Sequence, residues 1–146
     1  MNSIEFFVPG IPQPGGSKKG FYNRKAGRVV IVEDCKRNKE WRAVVALAAR
    51  RAYHGEPLTG PVRLNIYFYM PRPKSHYGTG KKSGELKLTA PYFHTNKPDR
   101  TKLQRSTEDA MTGIIWRDDT QVVDGVTSKI YDRTPGADIK ITELEL

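Results

Sequence analysis

The sequence predicts an α+β domain, a small mixed β-sheet with two main helices in the order β-α-β-α-β-β. Three observations carry that reading. Apolar and polar residues alternate, as half-buried strands require, at residues 3–8, at 62–70 and in two segments beyond residue 120. Between them lie two segments whose apolar residues recur every three or four positions, the spacing of one helical face. The chain has 146 residues, of which 37% are hydrophobic, enough for one core and a single domain covering residues 1–146.

The opening strand, residues 3–8, is rich in Ile, Phe and Val and stops at Pro9-Gly10. Residues 10–28 mix glycine and proline with Lys18, Lys19, Arg24, Lys25 and Arg28, and read as a flexible basic loop or loose hairpin. A short strand at 29–32 feeds a helix beginning near Asp34, whose carboxylate can cap free backbone N–H groups. In that helix Trp41, Val44, Val45, Ala48 and Ala52 form the inward stripe, while Arg37, Arg42, Arg50 and Arg51 stay in water. The strand at 62–70 follows the turn GEPLTGP and is the expected sheet partner of the first. Residues 71–97 form a long basic loop with Pro, Gly and Ser throughout; part of it is expected to be mobile, because loops of this length in small domains are usually functional or disordered. A second helix over 101–112 turns Leu103, Thr107, Ala110, Met111 and Ile114 inward, and Gly113 ends it. Strands at 121–131 and 137–144, joined by DRTPG, close the chain. Trp41, Trp116 and Phe93 are assigned to packing. The helices should cover one sheet face and leave the other for a partner subunit.

The formal net charge of +9 is unevenly placed. Residues 71–105 carry nine Lys/Arg against two acids, whereas residues 106–146 carry four against nine. Basic loops beside an acidic C-terminal third point to a polyanion held by lysine and arginine, with the carboxylates kept for another task. The longest apolar run, residues 43–49, is far short of a bilayer span, and MNSIEFFVPG lacks the basic start and apolar centre of a signal peptide. A cytoplasmic protein with no membrane partner is expected. The lone Cys35 can neither pair internally nor build a thiolate zinc site.

The densest polar constellation is residues 97–124. Asp99 precedes the second helix, Glu108 and Asp109 lie on it, and Asp118 and Asp119 follow it. Carboxylates grouped among basic loops suit a hard divalent cation that takes oxygen ligands and keeps water in its shell, Mg2+ with Mn2+ able to substitute. Lysines and arginines would hold a phosphodiester while the metal polarises a phosphate oxygen and delivers hydroxide. Thr101, Arg105, Glu108 and Thr112 share a helix stripe distinct from the inward one. Plainer roles exist for each group: an exposed Arg105–Glu108 ion pair, Asp99 as an N-cap, Asp118 and Asp119 as a turn. His94 is read first as a structural histidine and second as a phosphate or water contact. Phe21, Tyr22, Tyr77 and Phe93 lie among basic residues, a mixture able to stack on exposed bases.

The segments Pro98-Asp99-Arg100-Thr101-Lys102-Leu103, Arg105, Asp109-Ala110-Met111 and Trp116-Arg117-Asp118-Asp119-Thr120-Gln121-Val122 resemble, in order and spacing, the core of RusA-type Holliday junction resolvases, many from phages and prophages. The FVPGIPQPGGSKK start and the NKEWR of the first helix resemble phage-encoded members, so the likeness covers nearly the whole chain. It implies a homodimeric, Mg2+-dependent endonuclease that resolves four-way and branched DNA by paired symmetric nicks in recombination and repair. It implies a metal held by Asp99 and Asp119, assisted by Glu108 or Asp118, with Arg105 at the family's catalytic lysine. An arginine there can hold the scissile phosphate but cannot exchange a proton at ordinary pH. DNA binding is expected of Lys18, Lys19, Arg24, Lys25, Arg72, Lys74, Lys81, Lys82, Lys87, Lys97, Arg100 and Lys102.

One position departs from the family pattern. Where the family has a second aspartate two residues after the first, this chain has Thr101, an uncharged and far weaker ligand. Glu108, two helical turns and about 10 Å along the same stripe, is the candidate replacement. The alternative is a catalytically weakened junction- or DNA-binding protein of the same fold. A single-strand or RNA-binding module is a further rival, for which no recognisable RNA motif is present.

Overall fold

The structure, a computed structural model, describes residues 3–15, 18–33 and 37–146. The first alternating segment is strand β1 (Ser3–Pro9), and the basic arm after it is a hairpin of β2 (Lys18–Asn23) and β3 (Arg28–Glu33) that, among the described residues, forms a two-stranded sheet of its own. Helix α1 (Asn38–Ala52) and strand β4 (Val62–Pro71) follow. Helix α2 (Arg100–Met111) leads to β5 (Val122–Asp124), β6 (Thr127–Asp132) and β7 (Gly136–Glu143). Two helices on a mixed sheet give the α+β class that the patterning predicts.

The opening strand does not pair with β4, its expected partner. β7 lies between them, antiparallel to both. The other edge of β4 is taken by β5 and β6, each in parallel register. A parallel pair needs a long crossover, which the chain between β4 and β6 supplies through α2. β7 is then left the free edge of β4 and offers its own far edge to β1. The expected single strand at 121–131 is broken for a local reason. Gly125 has φ 142°, and a Cβ there would sit 1.8 Å from the Leu64 carbonyl oxygen, so only glycine lets β4 approach. Val126 N–H donates to Asn65 Oδ1 at 2.9 Å and restarts the ladder.

The core forms on one face of the sheet. Val62, Leu64, Ile66, Phe68 and Met70 of β4 are buried, with Arg63, Asn65, Tyr67 and Tyr69 alternating between them on the open face. Against the buried face pack Trp41, Val45 and Ala49 of α1 and Leu103 and Met111 of α2, with Trp116 beyond. Both tryptophans are therefore packing residues. The helix stripe of α1 is narrower than its sequence spacing indicates. Val44 and Ala52 are exposed, and Ala49 takes the core position instead, because a strict four-residue line faces the sheet. Val44 and Ala48 flank a shallow groove against β1. The described helix begins with Arg37 as an N-cap that makes no side-chain cap bond; Asp34 lies outside the described residues. The two helices are tied by Trp41 Nε1, which donates to Thr107 Oγ1 at 3.1 Å.

The basic stretch after β4 carries internal bonds. Gly78 N–H donates to the Glu85 carbonyl, Lys87 N–H to that of His76, and the Arg133 guanidinium to that of Gly84. Its end runs antiparallel beside β6, where His94 N–H donates to Lys129 O and Tyr131 N–H to Tyr92 O. Side chains alternate along such a run. His94 therefore points inward and Phe93, expected in the core, points out, 62% exposed with its ring edge-on to Tyr92. Among the described residues no helix is long and apolar enough to cross a membrane.

Candidate active site

Helix α2 starts at Asp99 because that side chain accepts from Lys102 N–H at 2.9 Å, satisfying one of the free donors of the first turn. The plain capping role is thus real, and it commits Oδ1. Oδ2 lies 4.0 Å from Lys102 Nζ in an exposed carboxylate. Just upstream, Lys129 of β6 donates from Nζ to the Asn96 and Pro98 carbonyls, 2.8 Å each. Burial pushes this ammonium below the usual lysine range, and the Asp99 charge acts against that shift.

Glu108 sits half-buried on the same helix. It forms no ion pair with Arg105; Oε1 accepts from Gln104 Nε2 at 2.8 Å, and Gln104 Oε1 accepts from Thr127 Oγ1 at 2.8 Å. Burial pushes the Glu108 carboxyl up, the Gln104 hydrogen bond pulls it down, and the charges of Asp119 and Asp109 push it up again. Arg105, exposed, is the smallest of these influences.

Asp118 and Asp119 stand on the turn after Trp116. Asp118 accepts from Thr120 N–H at 2.9 Å, and hydrogen bonds from Thr120 hold its carboxyl below the usual range. Gln121 fixes the turn. Its Oε1 accepts from the N–H groups of Arg117 and Asp118, and its Nε2 donates to the carbonyls of Leu58 and Gly60. Four bonds use the full capacity of the amide.

The four carboxylates expected at the metal, Asp99, Glu108, Asp118 and Asp119, do not form one cluster. Among the described residues no three Asp, Glu, His or Cys side chains lie close enough to hold a metal ion together. Thr101 brings no carboxylate, and Asp99 and Asp118 each give one oxygen to a cap. Mg2+ commonly takes one or two protein carboxylates and retains its waters, so a metal here would be held by one or two of these oxygens and completed by water and substrate, not by an all-protein cage.

The expected DNA contacts divide by environment. Arg24, Lys25, Lys74, Lys81, Lys82, Lys87, Lys97 and Lys102 are exposed. Lys18 and Lys19 lie on β2. Arg100 is exposed and reaches the Thr127 carbonyl at 3.3 Å. Arg72 is turned to the protein, donating to Pro91 O at 2.7 Å with its guanidinium over the Tyr131 ring. His94 is buried edge-on to the same ring, and burial lowers its pKa, as a structural histidine requires. Gln104, Gln121, Thr127 and Lys129 were not singled out by sequence. Gln121 stands within the Asp-Asp-Thr-Gln-Val run and was findable there; Thr127 and Lys129 carry no signal beyond strand alternation.

The chain is 34% identical over 146 residues, 99% of each protein, to an uncharacterized protein of Bacillus subtilis (strain 168), YqaN. The sequence profile of Endodeoxyribonuclease RusA matches residues 9–142, which include β4, α2, the Asp118-Asp119 turn and β6. With nearly the whole fold inside that match, the chain belongs to the RusA endodeoxyribonuclease family.

Proposed function

We propose that the protein is a homodimeric, Mg2+-dependent nuclease that resolves Holliday junctions and other branched DNA by paired symmetric nicks. The observation that carries this reading is the match of residues 9–142 to Endodeoxyribonuclease RusA, inside which α2 and the turn after Trp116 carry Asp99, Arg105, Glu108, Asp118 and Asp119. Asp119, with Asp99 or Glu108 as a second carboxylate, would hold the metal, and water and the substrate phosphate would complete its shell. The metal supplies Lewis-acid polarisation of a phosphate oxygen and an activated water.

The chain's own residues bind and orient. Arg105, exposed on α2, faces the substrate as a permanent cation and holds the scissile phosphate. Lys102 stands beside Asp99, and the exposed lysines of the loop after β4 track the backbone of the arms. A twofold dimer would place one site on each of two opposed strands of a four-way junction, which paired nicking needs.

Thr101 favours a second reading, a junction-binding protein of weakened activity. One experiment separates them: a synthetic four-way junction and a linear duplex, each incubated with the protein with and without Mg2+. Metal-dependent cutting of the junction supports the nuclease; binding without cutting supports the weakened form. Asp99→Asn and Asp119→Asn should each abolish cutting and keep or tighten binding, since ligand charge is removed and repulsion of phosphate falls. Wild-type rates in either variant at saturating Mg2+ would remove that residue from the site.

A further inference from the structure

The β2–β3 hairpin forms a sheet of its own, yet it springs from the helix that carries the candidate site. Its approach is fastened along α2: Gly15 N–H donates to the Lys102 carbonyl at 2.9 Å, and Ser106 Oγ donates to that of Gln13. A Cβ at Gly15 would come within 3.0 Å of Ser106 Cβ, so this close approach uses a glycine. Lys18, three residues on, opens β2, and covalent geometry keeps it within about 11 Å of Gly15. The hairpin is therefore tethered beside the first two turns of α2, where Lys102 and Arg105 stand after Asp99.

Its other end is a fixed basic tip. Asn23 closes the turn, its Oδ1 accepting from Ala26 N–H at 3.1 Å and its carbonyl from Gly27 N–H at 2.8 Å. Arg24, Lys25 and Arg28 are exposed there, and no acid interrupts residues 18–32. Directly behind the tip Tyr22 and Val29 stand opposite each other across the two strands, each 63% exposed. Opposed residues of an antiparallel pair share one face, so ring and branched side chain form one apolar surface.

We infer that the Tyr22–Val29 pair is a stacking platform for bases at the branch point of DNA, and that the hairpin is the element that selects branched over linear substrate. The inference deepens the nuclease reading above and rests on it. A ribbon that only followed phosphates would need Arg24, Lys25 and Arg28 and nothing apolar behind them. Continuous duplex keeps its base faces covered by stacking. At a branch point the stack is interrupted, and it offers the flat apolar surface that an aromatic ring takes in any sequence. The cations in front of the pair would neutralise the phosphates that crowd such a point. Other aromatic residues among basic loops are engaged within the protein: the Tyr77 ring lies under the Arg133 guanidinium, and Phe93 is edge-on to Tyr92.

The test needs no metal and no cutting. Binding of a synthetic four-way junction, and of a linear duplex with the same arm sequences, is measured by fluorescence anisotropy in chelator over a range of salt. The full chain is used as wild type, Tyr22→Ala, Tyr22→Phe and the triple variant Arg24→Gln, Lys25→Gln, Arg28→Gln. Tyr22→Ala should weaken junction binding by about fivefold or more, leave duplex binding unchanged, and leave the salt slope unchanged because stacking releases no counterions. Tyr22→Phe, which keeps the ring, should recover the wild-type affinity. The triple variant should instead lower the salt slope on the junction, by about 0.9 for each phosphate let go. Tyr22→Ala that binds the junction as the wild type does, or that loses affinity for junction and duplex equally, overturns the platform; the second result would place Tyr22 on ordinary duplex. A wild-type chain with no preference for the junction overturns the junction-resolving reading and this inference with it.

Discussion

Replacing Glu108 by glutamine should stabilise the metal-free protein and disable it in the presence of metal, and both signs follow from the same contacts. The glutamine amide keeps an oxygen to accept from Gln104 Nε2, so the hydrogen bond survives. What disappears is a half-buried negative charge that Asp119 and Asp109 repel. Relief of like-charge repulsion at a partly solvated site is on the order of 0.5 kcal/mol. For a domain of this size that raises Tm by about 1–2 °C. Metal reverses the order. At ten times the dissociation constant, Mg2+ stabilises the wild type by about 1.4 kcal/mol, whereas a variant binding ten times more weakly is stabilised by about 0.4 kcal/mol. The wild type should therefore melt below Glu108→Gln in chelator and above it in Mg2+. Differential scanning calorimetry in both buffers, with junction cleavage in parallel, reads the crossing. A variant less stable in chelator, or Mg2+ stabilising both proteins equally, would show that Glu108 is an ordinary helix acid.

Thr107→Val leaves the buried Trp41 indole N–H without its acceptor and should cost about 1–3 kcal/mol in urea unfolding, with cleavage affected only through stability. Neutralising the exposed Lys81, Lys82 and Lys87 together should reduce the log–log salt slope of junction binding by about 0.9 for each phosphate those lysines neutralise; an unchanged slope would mean the loop does not touch DNA. Thr101→Asp should restore cleavage in the Glu108→Gln background if Glu108 replaces the family's second aspartate. A double-mutant cycle with additive rates would exclude that replacement. Because burial and neighbouring charge hold the Glu108 carboxyl above the usual range, its proton leaves late. The acid limb of cleavage should lie above that of an ordinary glutamate and move down as Mg2+ is raised, since cation and proton compete; a limb insensitive to Mg2+ would separate Glu108 from the metal.

Local rules made much of this fold legible. The strict alternation of β4 and the Asp99 cap of α2 follow from periodicity and side-chain chemistry within a few residues. Pairing does not. β1 and β4 each read as strands, but only the parallel crossover through α2 and the return of β7 decide that they are not neighbours. Gly125 looked like one more residue of a strand, because the Leu64 carbonyl that forbids a side chain there is about sixty residues away. The same limit governs the site. Sequence proximity grouped Asp99, Glu108, Asp118 and Asp119, yet hydrogen bonds to Lys102 and Thr120 draw two of them into caps. Lys129 and Thr127 could not be distinguished from solvent-facing strand residues until their partners on α2 and its preceding loop were in place.

A carboxylate can cap a turn and still serve a cation, since an ionised carboxylate offers about four lone-pair sites and a cap uses one. Capping therefore does not disqualify Asp99 or Asp118; it fixes them. The capped oxygen cannot rotate toward the metal without releasing a backbone N–H, so each of these residues offers one directed oxygen instead of a freely turning pair. Under the proposed function this leaves the site short of protein ligands. With Thr101 adding none, an octahedral Mg2+ would draw its remaining oxygens from water and from the DNA phosphate that Arg105 holds. Metal and junction should then bind cooperatively, each completing the other's site, and by linkage the junction should tighten Mg2+ by the same factor by which Mg2+ tightens the junction. Asp99→Asn tests this most directly with an uncleavable junction, because it should reduce that mutual factor while leaving the metal-free junction affinity equal or stronger.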